Sequence, residues 1–324
     1  MNLTRRRLLS TAAALCASPG LPAFAQGAWP TKTVRLVSPY AAGGANDISA
    51  RIFADQLGQI FGQQFIVENK PGAGTRIANE SVARSAPDGY TFLYAAAPYA
   101  TAEALFGPQK YDRKDLVPVA MATIAPIFVI VNAKTPVKSL KELIAYGKSR
   151  PDGLTFASPG VGSQPHLAAE LLFMDAGVKG INVQYRGDAP AYMDLLAGRV
   201  DATFTAISTA LPHIQRGDLR VLGVASPTRS AIYPEAPTVS EQGFPNVVAA
   251  GWYGFLAPAA TPREIVERMQ AEINKILANP QVKQKLLDTG LEPRPGSAAE
   301  FARFIESETV KWTEVIRKAG IKVE

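Results

Sequence analysis

The chain has 324 residues, a formal net charge of +6 at pH 7 and a single cysteine. This length is enough for about two domains of about 150 residues each, and a hydrophobic content of 47% can fill two cores. Lysines and arginines are scattered rather than grouped, which argues against a nucleic-acid partner. No cysteine follows residue 16, which excludes disulfides and thiolate metal sites from the rest of the chain.

The N-terminal segment has the parts of a secretory signal peptide. Three arginines at residues 5–7 precede an apolar run at residues 8–17, which is too short to span a bilayer. Ala23-Phe24-Ala25 provides the small residues that a signal peptidase needs. We therefore expect residues 1–25 to be removed and the protein to reach a bacterial periplasm. The arginines suit both the general and the twin-arginine export routes.

Short apolar runs alternate with amphipathic stretches along the rest of the chain. The runs are residues 34–38, 65–68, 91–94, 154–158, 181–185, 200–204 and 219–225. Residues 47–61 place four aliphatic side chains close to one helical face: Ile48, Ile52, Leu57 and Ile60. This alternation predicts an α/β protein with mostly parallel sheets.

Three later helix starts have the Ser/Thr-x-x-Glu pattern of a capping box. They are Ser139 with Glu142, Thr261 with Glu264, and Ser297 with Glu300. Pro262 follows the second of these caps, where proline is favoured as the first helical residue. The pattern therefore predicts helices that begin directly after residues 139, 261 and 297.

Two apolar segments are candidates for crossings between two lobes. Residues 117–132 are longer than one strand requires and are interrupted by Pro118 and Pro126. A second candidate runs through residues 219–227. Two crossings make the first lobe discontinuous, so we expect residues 26–125 plus 226–324 to form lobe 1 and residues 126–225 to form lobe 2.

The loop at residues 39–47 consists mostly of small residues, follows a predicted strand and precedes a helix. Such a loop exposes backbone N–H groups at the positive end of the helix dipole, which favours an anion. In open parallel sheets, ligands also lie beyond the carboxyl ends of strands. The candidate ligand-binding residues are Tyr40, Ala42, Gly43, Gly44, Asn46 and Asp47. The alternative is a plain connection in which Asn46 or Asp47 only caps the helix.

Residues 158–166 and 185–190 repeat this arrangement in the second predicted lobe. The candidate ligand-binding residues there are Ser158, Gly162, Ser163, Gln164, Arg186 and Asp188. Ser163 is expected to cap its helix, and Arg186 either pairs with a carboxylate or forms a surface salt bridge. Loops that face each other from two lobes predict a cleft for a small anion.

Other patterns argue against cofactors and catalysis. The Gly-rich turn at residues 71–76 lacks the third glycine of a dinucleotide fingerprint, because Ile77 stands there. Only two histidines are present, His166 and His213, and no zinc site is expected at either. Ser163 and His166 lack the Gly-x-Ser-x-Gly elbow and are more consistent with a helix cap. Asp47 could act as a general base if buried, but capping is the commoner role for such an aspartate.

These loops, read in order, resemble the tripartite tricarboxylate receptor family, whose Bordetella members are called Bug proteins. The matching segments are residues 29–30, 40–47, 50–51, 67–74, 87–91, 111–112, 118–119, 157–169, 185–190, 194–198, 237–239, 252–254 and 257–258. They extend from residue 29 to the C-terminal region. The chain departs from the family pattern at Thr75 and Ala78, where the family commonly has glycine.

The resemblance implies a type II-like periplasmic-binding-protein fold, with two lobes joined by a hinge and with neither cofactor nor catalysis. It also implies that residues 41–47 and 158–164 hold one carboxylate of a mono-, di- or tricarboxylate ligand. We hypothesise that Arg76 or Arg186 contacts the far end of a second carboxylate.

Three functions follow as hypotheses from this reading. The first is a monomeric solute receptor that docks transiently to a tripartite tricarboxylate-type permease. The second is a sensor that presents its liganded form to a membrane kinase. The third is a periplasmic hydrolase that uses Asp47 or Ser163, against which the missing catalytic triad argues. The aromatic or aliphatic nature of the acid stays open.

Overall fold

The structure is a computed structural model that describes residues 29–185, 188–208 and 210–323. The expected signal peptide at residues 1–25 lies outside these ranges. No described helix has both the length and the apolar character needed to cross a membrane.

The first sheet has six strands. In spatial order they are β11 (Glu292–Pro293), β4 (Leu116–Pro126), β10 (Ala250–Pro258), β3 (Thr91–Ala96), β1 (Val34–Ser38) and β2 (Phe65–Asn69). β1 pairs in parallel with β2 and β3. β10 is antiparallel to β3 and β4, and β11 is antiparallel to β4.

The second sheet has five strands. In spatial order they are β7 (Gly180–Gln184), β6 (Leu154–Ser158), β8 (Ala202–Thr205), β5 (Phe128–Asn132) and β9 (Leu219–Val224). β6 pairs in parallel with β7 and β8, whereas β5 is antiparallel to β8 and β9. The strands predicted from the apolar runs are therefore present, with ends shifted by at most two residues.

Both sheets are mixed, which corrects the expectation of mostly parallel sheets. The reason is the path of the chain between the sheets. When the chain passes from one sheet to the other, the new strand begins at the edge where the two sheets meet. The neighbouring strands end at that edge, so the new strand is antiparallel to them. β5 follows β4 across the junction and β10 follows β9, and these two entering strands carry most of the antiparallel pairings.

Helices cover the sheets. They are α1 (Ala45–Phe61), α2 (Arg76–Ala83), α3 (Pro98–Phe106), α4 (Leu140–Lys148), α5 (Gln164–Ala176), α6 (Asp188–Leu196), α7 (Leu211–Gln215), α8 (Arg263–Ala278), α9 (Pro280–Asp288) and α10 (Ala298–Ala319). α1 begins two residues before the predicted start.

The three predicted capping boxes have different outcomes. The box of Ser297 with Glu300 is present in both directions. Ser139 caps the backbone N–H of Glu142, but the Glu142 carboxylate accepts from the N–H of Lys138 instead. The box at Thr261 is wrong, because α8 begins one residue later, after Pro262, and the Thr261 hydroxyl is buried without a partner among the described residues.

The chain crosses between the sheets at the first predicted segment. β4 ends at Pro126 and β5 begins at Phe128, so Ile127 is the crossing residue. The return passes through residues 225–249, between β9 and β10. Val239, Val247 and Ala249 on this return pack into the core of the second sheet. The lobe boundaries at 125/126 and 225/226 stay predictions.

The C-terminal helix α10 packs on the cores of both sheets. Phe301 and Ile305 lie in a core with Leu93 of β3, whereas Trp312 and Ile316 lie in the core of the second sheet. α10 is therefore a third structural connection between the two halves, in addition to the two chain crossings.

A buried polar cluster lies at the middle of α10. Glu308 is 5% exposed and accepts a hydrogen bond from Trp312 Nε1 at 2.7 Å. Lys311 forms an ion pair with Glu308 and donates to the Val248 carbonyl at 3.0 Å. The cluster ties α10 to the return segment between the sheets.

We expect Glu308→Ala to lower the free energy of unfolding by about 2–4 kcal/mol, because Trp312 Nε1 and the Lys311 ammonium lose a buried partner. Urea unfolding followed by circular dichroism measures this change. Glu306→Ala, at an exposed position of the same helix, is the matched control and should change stability by less than about 0.5 kcal/mol. Equal losses in both variants would contradict the role assigned to Glu308.

Candidate functional site

A cleft of ≈ 390 Å³ lies where the two sheets meet. This volume is in the range of small-molecule sites. Its lining residues are Tyr40, Ala96, Ala97, Pro98, Ala125, Ile127, Pro159, Ser163, Gln164, Pro165, Thr205, Ala206, Gly251, Trp252 and Tyr253. β1, β3, β6 and β8 all direct their carboxyl ends to it, as expected for ligand sites of open α/β sheets.

None of the described residues that line the cleft carries a formal charge. Alanine, proline and glycine form much of the wall, and the polar side-chain groups are hydroxyls, the amide of Gln164 and the indole N–H of Trp252. An anion in this cleft would therefore be bound by neutral donors and backbone dipoles. Such groups can replace water around a single carboxylate without the desolvation cost of burying a cationic side chain.

Two helices begin at the cleft from opposite sides. α3 begins at Pro98, shortly after β3 of the first sheet, and α5 begins at Gln164, shortly after β6 of the second sheet. Each helix start has backbone N–H groups without an intrahelical partner and about half a positive charge. A third helix start, that of α1, follows Tyr40 and has no side-chain cap. The starts of α3 and α5 thus favour negative charge in the cleft although its described lining residues are neutral.

Gln164 is the polar side chain best placed to contact a ligand. It is 8% exposed, and neither its Nε2 nor its Oε1 has a hydrogen-bond partner among the described residues. A buried amide without partners costs roughly 1–3 kcal/mol per unsatisfied group. A molecule in the cleft that accepts hydrogen bonds would satisfy Nε2, and a hydroxyl or other donor on it would satisfy Oε1.

The predicted loop before α1 is held by Asp47. One carboxylate oxygen accepts from the Gly43 N–H at 2.9 Å and from Arg51 Nε at 3.0 Å. The other accepts from Arg51 Nη2 and from Asn69 Nδ2, both at 2.9 Å. Burial opposes ionisation, but the hydrogen bonds from Arg51, Gly43 and Asn69 outweigh it and lower the pKa of Asp47 to about 2. Asp47 therefore shapes the loop.

The other predicted residues of this loop differ in their positions. Tyr40 lines the cleft, whereas Ala42, Gly43, Gly44, Asn46 and Asp47 do not. Asn46 Oδ1 accepts from the Ser38 hydroxyl at 2.7 Å, and its buried Nδ2 has no partner among the described residues. Desolvation, and the nearby Tyr253 second, raise the pKa of Tyr40 above its usual value, so its hydroxyl stays neutral.

The loop before α5 has its own internal supports. Ser163 caps α5, because its hydroxyl accepts from the His166 N–H, and it also donates to the Gly160 carbonyl at 2.7 Å. The buried Ser158 hydroxyl donates to Asn182 Oδ1. Ser163 and Gln164 line the cleft, whereas Ser158 and Gly162 do not. The His166 ring accepts from the Gly162 N–H and not from the Ser163 hydroxyl, so the two do not form a nucleophile and base.

Arg76 lies away from the cleft. Its guanidinium lies 4.2 Å from the centre of the Phe106 ring, and its Nε donates to the Ala73 carbonyl. It lines a separate surface pocket of ≈ 250 Å³ with Glu80 and Lys110. Arg186 lies outside the described residues, and Asp188 is described only as the first residue of α6.

Several lining residues are absent from the predicted site. Residues 96–98 and 205–206 lie at the carboxyl ends of β3 and β8, so the rule that ligands lie at strand ends would have found them if every strand had been considered. Trp252 and Tyr253 lie inside β10. They belong to the family-matching segment 252–254, but nothing in that segment assigns them to the cleft, because their position depends on where the chain returns to the first sheet.

We expect Asp47→Asn to lower the free energy of unfolding at pH 7 by about 1–2 kcal/mol. The folded-state pKa is depressed, so the stabilisation is present above pH ~4 and is lost as the pH falls toward ~2. Urea unfolding at pH 7, 4 and 3 should show the two proteins converging. Asp55→Asn, exposed on the same helix, is the control, and a constant gap between wild type and Asp47→Asn at all three pH values would contradict the assignment.

Comparisons with known proteins agree with this geometry. The family model for the tripartite tricarboxylate transporter family receptor matches residues 49–321. The chain is 34% identical over 328 residues to Protein BugT of Bordetella pertussis, covering 100% of both chains.

Solved structures agree as well. R. palustris Rpa4515 with adipate superposes with a TM-score of 0.78 at 34% identity, covering 91% of this chain and 100% of that one. MatC from Rhodopseudomonas palustris with bound malate has a TM-score of 0.73 at 31% identity, covering 89% and 100%.

The family model covers most of the chain, the relative matches over its whole length, and the solved structures share the two-lobed α/β architecture. These three findings agree with the motifs at residues 40–47 and 157–169. The chain belongs to the tripartite tricarboxylate transporter receptor family.

Proposed function

We propose that the protein is a periplasmic solute-binding receptor that captures a small organic carboxylate in the cleft and delivers it to a tripartite tricarboxylate-type membrane permease. One observation carries this proposal. Helix starts from opposite sheets meet at a cleft in which the Gln164 amide is buried without a partner among the described residues. Helix N-termini and neutral donors are a suitable environment for a carboxylate.

The relatives support the same ligand class. Rpa4515 was solved with adipate and MatC with malate. Both ligands are linear dicarboxylates. Tyr40, Ser163 and Gln164 are the residues that we assign to carboxylate binding by direct contact. Ala42, Gly43, Gly44, Asn46, Asp47, Ser158 and Gly162 are assigned to the loops that present the helix starts. Arg186 and Asp188 remain candidates for the distal end of the ligand.

Capture follows from the two-sheet architecture. The chain crosses between the sheets at Ile127 and through residues 225–249, so these segments are the expected hinge. A ligand that touches both halves stabilises the arrangement in which they meet. The permease would then recognise the liganded arrangement.

The remaining expectations belong to this proposal. Residues 1–25 direct export by either route, and the mature receptor acts as a monomer without a cofactor and without catalysis. The described residues contain no group of three or more His, Cys, Asp or Glu side chains suited to a metal. A sensor function remains the alternative, since it uses the same capture step with a membrane kinase as the partner.

A thermal-shift screen of the mature protein tests ligand capture. We expect one or more C3 to C8 carboxylates to raise Tm, because a ligand at 100 times its Kd stabilises the protein by about 2.7 kcal/mol. The screen should include amino acids, aromatic acids, sugars and divalent cations. Stabilisation by sugars or cations alone would overturn the carboxylate proposal, and turnover of the bound acid would revive the hydrolase alternative.

We expect Gln164→Leu to weaken binding of adipate, or of the acid with the largest thermal shift, by about 5- to 30-fold, because one or two ligand hydrogen bonds are lost. Isothermal titration calorimetry measures the change in Kd. Gln281→Leu, at an exposed position of α9, is the control. Unchanged affinity in Gln164→Leu would remove Gln164 from the site.

A further inference from the structure

Gly162 occupies an unusual position in the loop before α5. Its backbone has φ of +73°, in the left-handed region that favours glycine. Its N–H donates to Nδ1 of the His166 ring at 3.0 Å. The next two residues, Ser163 and Gln164, line the cleft. The Gly162–His166 hydrogen bond therefore holds the segment that leads directly into the binding site.

This hydrogen bond requires a neutral histidine. A backbone amide always carries its hydrogen, so the ring nitrogen that accepts it has none, and the ring proton must be on Nε2. Nε2 lies 3.4 Å from Glu170 Oε1, one turn further along α5. The ring is 4% exposed and packs near Phe156. A second proton on the ring would remove the acceptor for the Gly162 N–H.

Gly162 also touches the opposite half of the molecule. A Cβ atom added to Gly162 would lie 2.6 Å from Leu105 Cδ1. Leu105 belongs to α3, the helix that contributes the opposite helix start to the cleft. A shift of Gly162 therefore disturbs the contact between the two halves as well as the start of α5.

We propose that His166 is a positioning residue for carboxylate capture, whose neutral ring holds Gly162 and the start of α5, so that its protonation weakens binding. This inference rests on the proposed function of the cleft. It adds to it a named support of the binding loop, the Nδ1 acceptor of a neutral imidazole, which a second proton on the ring would remove.

The surroundings of the ring decide the direction of the effect. An imidazolium could attract an anion, but the Glu170 carboxylate at 3.4 Å neutralises that charge locally. On α10, Glu308 pairs with Lys311 and accepts from Trp312, and Glu314 pairs with Lys318. Loss of the Gly162 hydrogen bond therefore outweighs the added charge.

The loop before α1 provides an internal comparison. There, the Gly43 N–H donates to Asp47, four residues later and likewise third in its helix. The pKa of Asp47 is lowered to about 2, so this support does not change between pH 5 and pH 8. The two loops have the same arrangement, but the acceptor in the second loop is a neutral ring nitrogen, which a proton would occupy.

Nuclear magnetic resonance of ¹⁵N-labelled protein tests the hydrogen bond itself. At pH 8 we expect a scalar coupling across the bond from Gly162 N to His166 Nδ1, together with an Nε2-protonated ring. As the sample is acidified, the coupling should disappear together with uptake of the second ring proton. His213, which is partly exposed on α7, is the control histidine in the same sample. A ring with the proton on Nδ1 at pH 8, or a coupling that persists after protonation, would overturn the proposal.

Calorimetry with adipate, malate and benzoate as probes tests the consequence for binding. The two pH values are pH 8 and the acidic pH at which the resonance data show the second ring proton on His166. We expect the wild type to bind the best of these probes about fivefold more weakly at the acidic pH, the equivalent of one hydrogen bond. His166→Asn keeps an acceptor near the position of Nδ1 and does not titrate, so it should bind at both pH values with similar affinity. His166→Leu should bind weakly at both.

His213→Asn is the control for protonation of the other histidine. It should retain the pH dependence of affinity that the wild type shows. A pH dependence that survives in His166→Asn, or wild-type affinity in His166→Leu, would overturn the role of His166 and leave the proposed function intact. If the wild type binds none of the probes at pH 8 and no other carboxylate in the thermal-shift screen, the proposed function fails and this inference fails with it.

Discussion

The shape of the cleft depends on one kind of hydrogen bond, which is present in two loops. In each of two loops, a glycine with positive φ donates its backbone N–H to the side chain of the third residue of the following helix. Asp47 is the acceptor before α1, and His166 is the acceptor before α5. The bond fixes the turn from strand to helix and so directs the helix start. Without it, small-residue loops of this kind would have many conformations, and ordering them on binding would cost affinity.

Orientation of the helix starts gives the site its chemistry. The described lining of the cleft contains no charged side chain, yet α3 and α5 present their positive ends to it from opposite sheets. Partial charges on backbone amides act over short distances and are fixed by the fold. A small carboxylate between the two helix starts touches both halves, which links ligand binding to the arrangement of the halves.

The halves are joined more extensively than the two chain crossings suggest. α10 places Phe301 in a core of the first sheet and Trp312 in the core of the second. Its central cluster of Glu308, Lys311 and Trp312 is attached to the return segment at Val248. Any relative movement of the halves must therefore bend α10 or repack one of its ends. Buried polar clusters of this kind have specific geometry, so they favour discrete arrangements over gradual deformation.

The sequence by itself determined the alternation of strands and helices, the crossing near Ile127 and the loops that approach the cleft. These features are local, because apolar periodicity, capping residues and glycine turns act within a few neighbouring residues. Tertiary structure alone decided the direction of β5 and β10, the place of Trp252 and Tyr253 in the cleft wall, and the separation of Arg76 from it. It also decided that Asp47 and His166 support glycines. Strand direction and side-chain partners depend on where distant segments meet, and no spacing within one segment records that.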